Sequence, residues 1–338
     1  MRPEYDFSQL KGRTRGKYAE RYKAAFGPKP AAGLNGHGEG YELTSAFPLA
    51  ATNGKMSRQE EAVFISRMVR ELTPVWVTSV TPIFAGNPNG REFFQCGTGT
   101  LFRIADKSFL VTASHVVTEA ESRKFGLYIS DAPSSVASRS RSVPLQGRVS
   151  GHNAKRYDVC IWELPADVVA ALGGRTFLSI HRADRQDRRL RLNGIYSMYG
   201  YPECWSQVRM ADNFVDLTPI RVVAQQYQGD SSRMPDYDFE LNLLLSLESA
   251  PENLPDSPAG SPPPLWHGIS GCPIWQLSYE GLPSKLWTPN DAVIVGVQTG
   301  VSRNGTIIKG TRWWVVEAII RHAYPELTEP LDLVTSTV

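Results

Sequence analysis

Cysteine is scarce in this chain, which has four in 338 residues. Cys96, Cys160, Cys204 and Cys272 stand far apart and form no C-x-x-C pair. That spacing excludes the usual zinc-ribbon and dithiol patterns, and no metal or cofactor is expected. Scattered thiols suit a reducing compartment better than a disulfide scaffold. Long apolar runs are also missing, so no bilayer-spanning segment is expected. The first residues, MRPEYDFSQLKGRTRGKYAERYKAAF, lack the apolar centre of a secretion signal. A soluble, cytoplasmic protein with no membrane partner is the expectation. Charge of one sign is lacking too: the net is +2 with 21% charged residues, a balance that by itself argues neither for nor against nucleic acid, which is not an expected partner.

What is present can fill a large core, since 41% of the chain is apolar and 10% aromatic. Its length suggests about two domains. Residues 1–55 read as a basic, partly flexible extension: Arg2, Lys11, Arg13, Arg15, Lys17, Arg21 and Lys23 cluster there, ahead of a Gly/Pro/Ala stretch. Tyr18, Tyr22 and Phe26 would share one helical face. The phrase EYDFS…RGKYAERY resembles a segment of small bacterial antitoxin-like proteins. Two readings stand for residues 1–30, a docking peptide for a regulatory protein or a basic helix packed on the body.

A helix is expected over Arg58–Leu72, with Ala62, Ile65, Met68 and Val69 on one side. From Pro74 the pattern turns to short β-branched runs between turn signals: VWVTSVTPIF, GTLFRI, FLVTA, GLYIS, VPLQGRV and DVCIWEL. NPNG at Asn87–Gly90 and ADK at Ala105–Lys107 read as hairpin turns. A linker that suits a helix at Ala166–Leu172 leads to a second series: TFLSI, GIYSMYG, LTPIRVVAQQY, FELNLLLSL, CPIWQL, AVIVGVQTG and GTIIKG. Closed antiparallel barrels, which leave few open edges, suit so many short strands. A Pro- and Ser-rich acidic stretch, Glu248–Pro264, and a helical TRWWVVEAIIRHAY segment complete the pattern.

Three segments carry chemistry. LVTASHV (Leu110–Val116) puts His115 just after an apolar strand, RYDVCIWEL (Arg156–Leu164) puts Asp158 at the mouth of another, and GISGCP (Gly268–Pro273) puts Ser270 in a glycine-flanked turn. A serine hydroxyl is a weak nucleophile until an imidazole takes its proton. A carboxylate on the other ring nitrogen fixes the imidazole's tautomer. Backbone N–H groups in a tight turn, here those of Gly268 and Ser270, can hold a developing oxyanion. Cys272 reads as a small core residue behind this turn, because it is Ser270 that the glycines flank.

These segments resemble the motifs of the trypsin-like (chymotrypsin-fold) serine peptidases, TAAH, D-[IV]-A and G-x-S-G-G-P. TASH departs by Ser114, DVC by Cys160 and the serine motif by Cys272. CGTGTLF (Cys96–Phe102), YGYP (Tyr199–Pro202) and VIVGVQTGV (Val293–Val301) echo the same family. The resemblance implies an all-β fold: two antiparallel six-stranded barrels with an N-terminal extension and a C-terminal helix. Residues 56–175 would hold a helix and the first barrel with His115 and Asp158, residues 176–326 the second barrel with Ser270 and the helix, and 327–338 a tail. It further implies a serine endopeptidase of bacterial, cytoplasmic type acting on protein or peptide substrates, with catalytic His115, Asp158 and Ser270. The alternative is a catalytically inactive binding or scaffold protein of that fold in a bacterial regulatory or defence system. Thr299 and Gly300 would bind substrate backbone. Pro264 would lie at the floor of the specificity pocket, where no acid stands to receive Lys or Arg. Val116 occupies the position of the cysteine that pairs with Cys96 in secreted relatives. Ile269 replaces the aspartate of zymogen relatives, which implies no activation by a new N-terminus.

Overall fold

The computed structural model describes residues 58–87, 93–131, 142–151, 157–184, 194–209, 214–234, 236–247, 266–278, 284 and 286–335. The expected extension over 1–55, Pro264 with the stretch before it, and most of the Asn87–Gly90 turn lie outside these residues.

Helix α1 (Arg58–Ser79) opens the described chain. Ile65, Met68, Val69, Leu72 and Trp76 recur every three or four residues and are all buried. The helix thus runs through Pro74 and past Leu72, correcting the expectation of a strand from Val75. Pro74 removes one i→i−4 donor. Burial of Trp76 outweighs that loss: its ring lies 5.8 Å from that of Tyr199 and 6.4 Å from that of Trp275. The hydroxyls of Thr73, Thr78 and Ser79 donate back to the carbonyls of Val69, Pro74 and Val75, keeping these β-formers inside the helix.

The first sheet comprises β1 (Val80–Gly86), β2 (Phe93–Ile104), β3 (Lys107–Ala113), β4 (Gly126–Ser130), β5 (Ser142–Pro144), β6 (Arg148–Ser150), β7 (Val159–Leu164) and the short β8 (Leu178–Ser179). Its order is β5-β4-β1-β2-β3-β7-β6, with β8 parallel to β2. The expected two-residue turn joins β2 to β3, with Ile104 opposite Lys107 and Ala105 at φ 51°. Helix α2 (Ser114–Ser122) follows β3 at once, and α3 (Ala166–Ala171) follows β7.

The second unit holds β9 (Ile195–Gly200), β10 (Ser206–Arg209), β11 (Phe214–Leu217), β12 (Ile220–Gln226), β13 (Asn242–Ser246), β14 (Pro273–Ser278), β15 (Val293–Val301) and β16 (Ile307–Arg312). Six of these close a barrel in the order β12-β13-β16-β15-β14-β9. The architecture is therefore all-β and two-lobed, with one barrel closed and the other a sheet whose hydrogen-bonded path stays open among the described residues. Helix α4 (Trp313–Ala323) stands where the C-terminal helix was expected, and α5 (Thr328–Thr335) adds a turn of ordered chain within the segment read as a tail.

Apolar burial divides the same way. Leu101, Leu110 and Ile129 fill the first lobe, and Met198, Leu245 and Ile274 the barrel. A larger cluster joins α1, both lobes and α4 through Trp76, Phe102, Val111, Tyr199, Trp275 and Trp313. Among the described residues, no helix is long and apolar enough to cross a membrane.

Trp76→Ala should destabilise the fold by about 3–5 kcal/mol, the cost of emptying an aromatic core site. Val63→Ala, on an exposed side chain of the same helix, should fall within about 0.5 kcal/mol of the parent in the same denaturant titration. Glu61 gives a pH signature. It is 6% exposed, and burial pushes its carboxyl up to about 7. A raised pKa means that the fold favours the protonated acid, so this contribution is complete below pH ~4.5 and fades as pH rises through about 7. Across that window wild type should lose roughly 3 kcal/mol that Glu61→Gln does not lose, read as the difference between their denaturation curves.

Candidate active site

The β3–β7 ladder pairs Ala113 with Val159, so His115 and Asp158 leave the same end of adjacent strands. Helix α2 begins at Ser114 with no side-chain cap of its own. Asp158 supplies one from the neighbouring strand: its carbonyl accepts from Ser114 N–H at 3.1 Å, and its Oδ1 accepts from His115 N–H at 3.0 Å. A carboxylate at a helix N-terminus also meets the positive end of the backbone dipole. The same carboxylate reaches the ring, with Nδ1 of His115 at 3.0 Å from both Oδ1 and Oδ2. An ionised carboxylate only accepts, which assigns the ring proton to Nδ1 and makes Nε2 the accepting nitrogen. Asp158 is at φ 51°, a left-handed backbone that aspartate tolerates better than most residues. Its side chain is 13% exposed and that of His115 45%, so the acid is sheltered while the base faces outward. The Thr311 hydroxyl, on β16, donates to the carbonyl of Tyr157 and ties this corner to the barrel.

Ser270 sits in a turn whose carbonyls are all occupied. His267 C=O accepts from Glu203 N–H at 2.8 Å, Ile269 C=O from Cys272 N–H at 3.0 Å, and Ser270 C=O from Thr98 N–H at 2.8 Å. Gly268 C=O accepts from Gln95 Nε2 at 2.7 Å and from Thr98 Oγ1 at 2.8 Å. A trans peptide points its N–H opposite to its C=O. The fixed carbonyls of His267 and Ile269 therefore turn the N–H groups of Gly268 and Ser270 away from those partners. No acceptor for either N–H occurs among the described residues. Gly268 and Gly271 hold φ of 89° and 93°, which favours glycine.

Gly271 brings the turn to the histidine. A Cβ there would lie 2.1 Å from Thr98 O, 2.2 Å from Thr112 Oγ1 and 2.8 Å from Ala113 N. The serine turn is thus pressed onto the middle of β2 and the last residues of β3, two residues ahead of His115. His267, just before the turn, has its pKa lowered by burial, with His115 near enough to add to the effect and Glu119 opposing it. Downstream, Gly271 N–H donates to Gln298 O at 2.8 Å and Gln298 N–H to Cys272 O at 2.9 Å, laying the turn beside β15. Cys272 is buried among Ile269, Met198 and Ile274, and burial pushes its thiol up, as suits a core residue.

Thr299 lies on β15 at a register shift between Gln298 and Gly300, and Gly300 pairs with Lys309. Pro264 lies outside the described residues. Two residues escaped sequence reasoning. Gln95 Nε2 lies 2.7 Å from each of the carbonyls of Gly97, Tyr201 and Gly268, which share its two N–H donors, and Thr98 uses backbone and hydroxyl on both ends of the serine turn. Their one sequence signal was a polar residue at buried positions of an otherwise apolar strand.

Gly271→Ala should cost more than about 1 kcal/mol, because the new methyl meets another strand's backbone at a positive φ. A thermal scan should show its midpoint several degrees below wild type, while Gly173→Ala, whose new methyl would make only an ordinary 3.6 Å contact with Ala170 O, should stay close to it.

No known family profile matches the chain, and no curated protein matches it. Solved structures do. A Glu endopeptidase matches at 17% identity and TM-score 0.40, covering 73% of this chain and 96% of its own. The Rv3671c protease of M. tuberculosis in its active form matches at 15% and 0.39, covering 77% and 85%. The VesB protease of Vibrio cholerae matches at 12% and 0.45, covering 73% and 64%. In fold, this chain is similar to the trypsin- and chymotrypsin-like serine proteases.

Proposed function

We propose that the chain is a serine endopeptidase that hydrolyses peptide bonds in protein substrates through Ser270, His115 and Asp158. The observation that carries this reading is the 3.0 Å contact of Asp158 with Nδ1 of His115, beside a serine turn pressed against the strand that leads into the histidine. Ser270 Oγ attacks the scissile carbonyl carbon while His115 Nε2 removes the hydroxyl proton. Asp158 keeps Nδ1 protonated and stabilises the imidazolium. The carbonyl oxygen, now an anion, is held by the N–H groups of Gly268 and Ser270, which have no acceptor among the described residues. Collapse of the tetrahedral species breaks the C–N bond, and His115 returns its proton to the leaving amine. Water then enters by the same general-base route, releases the acid and restores the Ser270 hydroxyl. Substrate backbone would add as a strand beside Thr299 and Gly300.

Two variants test the reading. A fluorophosphonate probe should label wild type and leave Ser270→Ala unlabelled; an unlabelled wild type would favour a binding protein of this fold instead. Asp158→Asn keeps an oxygen to accept from His115 N–H, so helix α2 should still form. Its amide nitrogen presents a donor to the ring and favours the wrong tautomer, so kcat should fall by on the order of 10⁴ with little change in the unfolding midpoint.

A further inference from the structure

Strand β16 presents two faces. Ile308 lies in the barrel interior, and a Cβ on Gly310 would meet Ile274 and Leu243 there. Alternation therefore puts Ile307, Lys309 and Thr311 on the outer face. Thr311 marks where that face leads, because its hydroxyl holds the carbonyl of Tyr157, next to Asp158. Lys309 is one same-face step further along, roughly 6.6 Å away. Across the ladder it pairs with Gly300. A Cβ on Gly300 would lie 3.7 Å from Lys309 Cβ and 3.4 Å from its Cε, so the lysine stem runs along the face that glycine leaves bare. Gln298, two residues before Gly300, bonds through its backbone to Gly271 and Cys272, next to Ser270. One surface thus carries, in order, the neighbourhood of Ser270, then Gly300, then Lys309.

Lys309 is 3% exposed. Lysine is among the residues least often buried, because withdrawing its charge from water is costly. A buried ammonium beside the strand that would bind substrate backbone is therefore a candidate for recognition. Resting on the peptidase reading above, we propose that Lys309 sets its specificity: the protease cleaves after aspartate or glutamate. The side chain on the acyl side of the scissile bond would pass Gly300 alongside the Lys309 stem that lies against it, and its carboxylate would meet the Lys309 ammonium. Lysine or arginine at that substrate position would bring two cations together in a water-poor site, where they repel strongly.

The test compares two peptides that differ only in Glu or Gln before the scissile bond. The ratio of their kcat/KM values is independent of how much of a preparation is folded. Full-length wild type should favour Glu by roughly tenfold to a hundredfold, the range for a charge-assisted hydrogen bond. In Lys309→Met the ratio should fall towards one, and in Lys309→Glu the preferred residue should become lysine or arginine. A variant that lost rate on all peptides alike, with the ratio unchanged, would reduce Lys309 to a structural role and overturn the proposal. So would a wild type that takes up the fluorophosphonate on Ser270 yet cuts both peptides equally, which leaves the peptidase reading standing. A wild type that neither reacts with the probe nor cuts any peptide removes that reading and this proposal together.

Discussion

One carboxylate does two structural tasks at once, and the rest of the site is arranged around it. Asp158 ends the open start of helix α2 and grips the ring of the histidine in that helix's first turn. The two tasks reinforce each other: the backbone bond fixes where His115 begins, and the ring bond fixes which way it faces. The φ of 51° at Asp158 is the cost of turning its carbonyl and its carboxylate towards the same short segment. A residue with a stiffer side chain could not take that backbone conformation, and one without a carboxylate could not fix the tautomer.

The serine is positioned by a different principle, saturation of carbonyls. Four successive carbonyls, from His267 to Ser270, each accept a hydrogen bond, and Gln95 and Thr98 on β2 supply three of the donors. Because β2 belongs to the first lobe and the turn to the second, Ser270 and His115 are referenced to one strand pair. Gly271 makes this possible by letting the two backbones approach closer than any side chain would allow. The site then depends on the seam between lobes, where α1 and α4 are packed through Trp76, Tyr199, Trp275 and Trp313. A precision of about 0.5 Å at the reacting atoms needs such support from behind.

Much of this was legible in the residues. Alternation and β-branched runs located β3, β7, β9, β14, β15 and β16, because each is bounded by turn chemistry that acts locally. The segments around His115, Asp158 and Ser270 lie at strand ends and a glycine turn, which are local events that a sequence marks. What stayed hidden was non-local. Val75–Ser79 read as strand, yet the contact of Trp76 with Tyr199 and Trp275 keeps it helical. Gln95 and Thr98 looked like ordinary strand residues, since their partners lie more than a hundred positions away. Lys309 sat unnoticed in a run read only as a strand.

On the specificity proposed above, that last residue would put the alternation of a barrel strand to use in recognition. On β16 the inward positions must be apolar or absent, as Ile308 and Gly310 are, and so the outward ones are free to carry chemistry. Thr311 spends its hydroxyl on the corner beside Asp158, while Lys309, two residues earlier, extends along the bare face of Gly300. A glycine opposite a long lysine is a matter of shape as well as charge: without a Cβ, Gly300 lets the Lys309 stem lie against its backbone. In a site poor in water the ammonium's field is weakly screened, so selection by charge would need no further contact. Recognition would then sit on the strand paired with β15, beside which the Ser270 turn is laid.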